Sequence, residues 1–243
     1  MVSPLRLFIA DPREIRSEFL GENRSIPALK ICGLTDPDQA MAIAAMGVQA
    51  IGVIGVAATP RFLESRRRCE LFESLSKNYP DVARVFVVAD ADNGVLDQAL
   101  SVAGAPTVIQ LHGSESPKRC SELRQRHPEV KWWKALRIRN EEDLALLNRF
   151  SDCTDALLLD AWSPDQLGGT GHRLPLEWLA ETEPTCPWWL AGGICAEWIP
   201  ELLNRVNPHG LDASSRLESS PGVKELSKVK ALVEAVQNNR LSH

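Results

Sequence analysis

Long apolar runs are missing from this 243-residue sequence. None approaches the roughly 18 residues that suggest a membrane span, so no membrane partner is expected. The opening stretch, "MVSPLRLFIADPREIRSEFLGENRS", has an apolar core of only about five residues and meets acidic residues soon after, which fits neither a signal peptide nor a transit peptide. A cytoplasmic location is the expectation. No C-x-x-C pair occurs among Cys32, Cys69, Cys120, Cys153, Cys186 and Cys195. A chain of this length needs no disulfide staples, so reduced thiols are the default and a zinc site is not expected. An excess of basic residues is absent too. The net charge of −5 gives no reason to expect nucleic acid as a partner. No linker or low-complexity tract divides the chain, so residues 28–243 read as one domain behind an extension at 1–27, with helical character at "DPREIRSEFL".

Hydrophobic residues make up 44 % and charged residues 24 %, an ordinary balance for a globular core. From residue 28 two kinds of segment alternate. Short β-rich runs occur at "ALKICG", "VQAIGVIG", "VARVFVV", "PTVIQLHG", "VKWWKAL", "DALLLDA", "PWWLAGG" and "HGLDASS". Stretches with apolar residues three and four apart follow each of them, from "DPDQAMAIAAMG" to "GVKELSKVKALVEAVQ". Strands alternating with helices imply parallel pairing through right-handed crossovers. An open doubly wound sheet usually carries a G-x-G-x-x-G turn after its first strand, and "CGLTDPDQ" is not one. The α/β class with a single closed (β/α)₈ TIM barrel is therefore the predicted architecture.

Active sites of such barrels lie at the C-terminal strand ends. Strand 1 ends in Cys32, and "DPDQ" behind it reads as a capping box, with Asp36 at the N-cap and Gln39 at the third position. A nearby helix start can favour thiolate; the alternative is a thiol that packs the barrel top. Asp160 closes the apolar "ALLL" run, where a carboxylate is costly unless it is paired, caps a loop or is functional. Gly192-Gly193 and "DASS" (Asp212, Ser214, Ser215) sit after strands 7 and 8, where barrels often bind phosphate; ordinary turns are the alternative. Arg61, in the loop after strand 2, suits a carboxylate or phosphate. His112, at the end of strand 4, is either a substrate contact or a satisfied structural histidine. Lys30 shares a strand face with Cys32, so it should point into the barrel and needs a partner. Asp212, on the adjoining strand 8, is the expected one.

These strand ends, in this order, resemble the phosphoribosylanthranilate isomerase family of tryptophan biosynthesis. The resemblance rests on "KICGLT", "TPR", "VIQLHG", "LLLDA" followed by "GGTG", "LAGGI", and "DASS" followed by "PGVKE", over about residues 28 to 238. It implies an Amadori rearrangement of a phosphorylated small molecule without metal or redox cofactor. By motif match, Asp160 corresponds to a general acid on the ribose ring oxygen and Cys32 to a general base at sugar C2. Arg61 corresponds to the holder of the anthranilate carboxylate, and Gly192, Gly193 and Asp212 to Ser215 to the phosphate cradle.

The sequence departs from that family's usual pattern in three places. "GVAAT" precedes Arg61 where many members have an aromatic residue and a lysine. "SSRLE" replaces "SSGVE", putting Arg216 beside the expected phosphate site, with an outward pairing to Glu218 expected. Residues 1–27 have no counterpart in shorter members. Three rivals remain on sequence alone. A histidine-pathway isomerase would want paired aspartates at strands 1 and 5. An indole-glycerol-phosphate synthase would want strand-end lysines such as Lys134. The third is a non-catalytic phosphate-ligand barrel.

Overall fold

Side chains along β1 (Ala28–Cys32) alternate between two environments. Leu29 and Ile31 join the large apolar layer between strands and helices, while Cys32 joins a separate cluster inside the ring of strands. A chain that repeats this pattern must close on itself to bury the inner row. In the computed structural model, which describes residues 26–161, 172–180 and 184–239, it does so. β1 is followed by β2 (Ala50–Ile54), β3 (Ala83–Val88), β4 (Val108–Leu111), β5 (Lys131–Ile138), β6 (Ala156–Ala161), β7 (Trp188–Ala191) and β8 (Gly210–Ala213) in one closed parallel barrel. β8 pairs with β1 in a register that sets Lys30 opposite Asp212. The proposed extension lies outside the described residues apart from Ile26 and Pro27, and so does the "GGTG" stretch.

The outer ring is α1 (Pro37–Ala44), α2 (Ser65–Asn78), α3 (Asn93–Leu100), α4 (Pro117–Arg126), α5 (Leu146–Phe150), α6 (Leu176–Leu179), α7 (Ile199–Arg205) and α8 (Leu226–Asn238). Each follows its strand as the periodicity predicts. The fifth is shorter than expected: Glu141–Ala145 is a 3₁₀ turn that buries no residue, so no apolar stripe draws it into the α form.

The last helix also begins later than predicted. Val223–Lys224 (β10) instead pairs antiparallel with Glu218–Ser220 (β9), through a turn at Gly222 with φ +84°. The expected capping box at α1 is corrected as well. Asp36 accepts from the Asp38 N–H at 2.9 Å, but Gln39 turns away. Its amide accepts from the Lys224 N–H (2.9 Å) and donates to the Lys224 carbonyl (3.3 Å), tying α1 to the entry of α8.

Inside the barrel, Trp133 and Trp189 form the floor with ring centroids 4.6 Å apart. The Trp189 ring lies 2.3 Å from where a Cβ at Gly210 would stand, so only glycine fits beside it. Val85, Val87, Ala135 and Leu158 fill the next level. The polar groups begin above them.

Candidate active site

A cavity of about 310 Å³ opens at the C-terminal ends of the strands. Cys32, Arg61, His112 and Asp160 line it, as do Gly192, Gly193, Asp212, Ser214 and Ser215. The structure thus brings every sequence-nominated site residue to one cavity. Among the described residues, Thr59 Oγ1, His112 Nε2 and Asp212 Oδ1 are buried polar atoms with no hydrogen bond, and all three residues line this space. Buried polar groups are rarely left so unless a ligand or solvent meets them.

Lys30 is fully buried, and its Nζ donates to Asp212 Oδ2 and to Gln110 Oε1, each at 2.8 Å. The expected partner is the observed one. Burial opposes the ammonium, but Asp212 and Cys32 beside it hold its pKa above the ordinary lysine value. Removing one member of such a pair costs about 3 to 5 kcal/mol, because the other charge is left uncompensated. Asp212 was expected among the phosphate ligands. Its Oδ2 pairs with Lys30, while Oδ1 has no partner and the residue lines the cavity; the negative charge of the carboxylate disfavours a phosphate directly against it.

The Cys32 thiol faces Gly52 on β2, its register partner. A Cβ at position 52 would stand 2.7 Å from the sulfur and 3.0 Å from Lys30 Cε, so glycine there makes room for both side chains. The sequence offered the helix start behind Cys32 as a way to favour thiolate; the causes at the thiol are burial and the neighbouring charges. Burial pushes the thiol up, and the opposing pull comes chiefly from Lys30. Asp160 stands at the end of β6. Burial, with the Asp212 charge adding to it, raises its pKa to about 7. His112 Nε2 is 3.7 Å from Asp160 Oδ2. Burial, then the charges of Lys134, Lys30 and Arg137, lower the His112 pKa to about 3.

Arg61 is buried and forked onto Glu218, with Nε 2.9 Å from Oε1 and Nη2 2.7 Å from Oε2. A bidentate pair uses two of the five guanidinium N–H groups, and three remain. Lys224 closes the cluster, reaching Glu218 Oε1 at 2.7 Å and both oxygens of Ser214 at 3.3 Å. Burial works against Glu218, yet Arg61 and Lys224 hold its carboxyl below the usual range. The Ser214 hydroxyl in turn donates to the Cys32 carbonyl at 3.0 Å. Glu218 is therefore not the outward partner of Arg216. Arg216 is exposed and lines the cavity beside Ser214 and Ser215.

Gly192 and Gly193 have φ of +92° and +66°. A Cβ on Gly192 would also lie 2.4 Å from the His172 carbonyl. Lys134, the candidate of a rival reading, lies outside this cavity. It donates to Glu115 Oε2 at 2.9 Å and to the Gly113 carbonyl at 2.8 Å. Gln110, Glu218 and Lys224 had no site role in the sequence reading. Gln110 was within reach, since it stands two residues before His112 on the same face. Lys224 reads as an ordinary helix lysine.

Among the described residues no helix is long and apolar enough to cross a membrane. No group of three or more His, Cys, Asp or Glu among them could hold a metal ion.

A closed parallel barrel with a buried carboxyl, a buried thiol and anion-directed groups at its strand ends defines a (β/α)₈-barrel enzyme for a small anionic substrate. Residues 29–235 match the family model described as N-(5'phosphoribosyl)anthranilate (PRA) isomerase, and the chain belongs to that family. It is 46 % identical over 213 residues to the N-(5'-phosphoribosyl)anthranilate isomerase of Synechococcus elongatus, covering 88 % of this chain and 97 % of that protein. The Thermosynechococcus vestitus enzyme of the same name is 43 % identical over 216 residues, covering 87 % and 91 %. Among solved structures, phosphoribosyl anthranilate isomerase from Thermus thermophilus superposes with a TM-score of 0.75 at 29 % identity, covering 87 % of this chain and 98 % of that one.

Proposed function

We propose that this chain isomerises N-(5-phosphoribosyl)anthranilate to 1-(2-carboxyphenylamino)-1-deoxyribulose 5-phosphate in tryptophan biosynthesis. The observation that carries the proposal is the pairing of Asp160 and Cys32 on the wall of one cavity, between Arg61 and the Gly192–Gly193 and Ser214–Ser215 turns. Asp160, with its pKa at about 7, still holds a proton near neutrality and gives it to the furanose ring oxygen. The anilino nitrogen lone pair forms the C1=N bond as the C1–O bond breaks. The Cys32 thiolate then removes the C2 proton, and the electron pair flows back to nitrogen through C1. The enol so formed at C2 tautomerises to the ketone. Lys30, beside Cys32, favours the thiolate against its burial.

The three spare N–H groups of Arg61 suit the anthranilate carboxylate. Backbone amides of the glycine turn and the serine hydroxyls suit the phosphate. Fixing both anionic ends sets the sugar between acid and base. Loss of fluorescence from freshly made phosphoribosylanthranilate on adding the purified protein tests the activity. No turnover above the uncatalysed rate would refute it.

Two smaller effects follow from the cavity lining. Arg216→Gly is expected to raise KM about three- to tenfold at nearly constant kcat, with the difference shrinking in high salt, because an exposed cation acting on a phosphate is screened and binds ground and transition states alike. An unchanged KM would place Arg216 outside the phosphate site. Cys195, whose Sγ takes a contact from Arg173 at 3.4 Å, does not line the cavity. Cys195→Ala is expected to keep kcat within about twofold of the wild type, as usual for substitutions away from the reacting groups. Steady-state kinetics check both.

A further inference from the structure

We propose that Gln110 is a positioning residue that locks His112 as the Nε2–H tautomer, so that His112 presents an N–H to the Asp160 carboxylate once Asp160 has given up its proton. The proposal rests on the reading of Asp160 as the acid.

The argument begins at Asp212. Its carboxylate accepts from the Lys30 ammonium at 2.8 Å, and that ammonium lies 2.8 Å from one end of the Gln110 amide. An ammonium can only donate, so the amide oxygen must face Lys30 and the amide nitrogen must face away. That nitrogen is 3.1 Å from His112 Nδ1. It carries hydrogens and no free lone pair, so Nδ1 must accept and the imidazole proton must sit on Nε2. Charge and direction therefore pass from carboxylate to ammonium to amide to imidazole without a free choice at any link. An imidazolium would set two donors face to face at Nδ1, in a site already crowded by the charges of Lys30, Lys134 and Arg137.

The remaining nitrogen points to the chemistry. His112 Nε2 is buried, makes no hydrogen bond among the described residues, and lies 3.7 Å from Asp160 Oδ2. That separation is beyond hydrogen-bond range for a protonated, uncharged Asp160. It closes with a shift of roughly 1 Å when a negative charge appears on the carboxylate. A donor that engages only as charge develops favours the transition state over the ground state. Neutrality matters equally, because a cation at the same place would strip Asp160 of its proton before substrate arrived.

The test is ¹⁵N NMR of imidazole-labelled enzyme. Wild-type His112 is expected to show a protonated Nε2 and a bare Nδ1, with no titration across neutral pH. Gln110→Glu sets a carboxylate oxygen against Nδ1, and is expected to move the proton to Nδ1 and lower kcat about a hundredfold, with KM within about threefold. His112→Asn, which offers an N–H and has no tautomers, should retain more activity than His112→Phe.

A wild-type spectrum with Nδ1 protonated, or an imidazole that titrates near neutrality, overturns the proposal. So does a Gln110→Glu enzyme with the tautomer reversed and kcat unchanged. The wild-type spectrum decides alone if Gln110→Glu does not fold. If Asp160→Ala keeps its turnover while the spectrum shows the Nε2–H form, the reading of Asp160 has failed and the tautomer lock has not.

Discussion

Asp160→Ala is expected to lower kcat by a factor of about 10² to 10⁴, the usual loss when a positioned proton donor is removed. The shape of its pH profile is more telling than the size of the loss. The working form needs Asp160 protonated and Cys32 ionised. Burial raises both groups, Asp160 to about 7 and the thiol above its ordinary value. The acid thus has the lower pKa of the two, and the working form is a minor species that shares its proton count with the form ionised at Asp160 alone. In kcat/KM the acid limb then falls near pH 7 and reports Asp160, even though Asp160 must be protonated to act. Asp160→Ala should erase that limb. Its residual activity should climb steadily toward the thiol pKa. Rate measurements from about pH 5 to about pH 10 decide the matter. A variant that keeps the limb near neutrality, or near-wild-type turnover, removes Asp160 from the acid role.

Cys32→Ala is expected to lose a similar factor of about 10² to 10⁴ in kcat, with the opposite profile. Without the thiolate there is no rise toward alkaline pH, and what activity remains should decline as Asp160 ionises above about 7. Cys32→Ser separates packing from chemistry. It keeps nearly the same volume above Gly52, but a hydroxyl is far harder to ionise than a thiol, so it should behave like the alanine variant. Rate profiles that coincide for Cys32→Ala and wild type would show that the thiol only fills the barrel top.

The strand ends were legible because two periodicities coincide in this chain. Alternation along β1 puts Lys30 and Cys32 on one face, and barrel closure puts β8 beside them, so the Lys30–Asp212 contact follows from the sequence. The thiol's environment was not legible in the same way. A helix start nearby in sequence could favour thiolate, but the side chain is buried in the barrel, and burial pushes its pKa up with Lys30 as the main opposing charge. Glu218 was misread because its burial depends on the β9–β10 hairpin, too short to leave a periodic signature. That hairpin delivers Lys224 and turns an apparent surface glutamate into the bridge between Arg61 and Lys224, which in turn reaches Ser214.

The Lys30–Asp212 pair and the Gln39–Lys224 contact join residues 182 and 185 positions apart. On the ribosome, Lys30 and Gln39 emerge when most of the barrel has yet to be made. Their partners follow only after seven strands have been synthesised. Through that interval the ammonium has no carboxylate to bury it, and the ring cannot close around it without a large electrostatic penalty. The unpaired charge therefore opposes burial of the inner face before the last strand is available. Closure of the ring, and with it the assembled cavity, waits on β8.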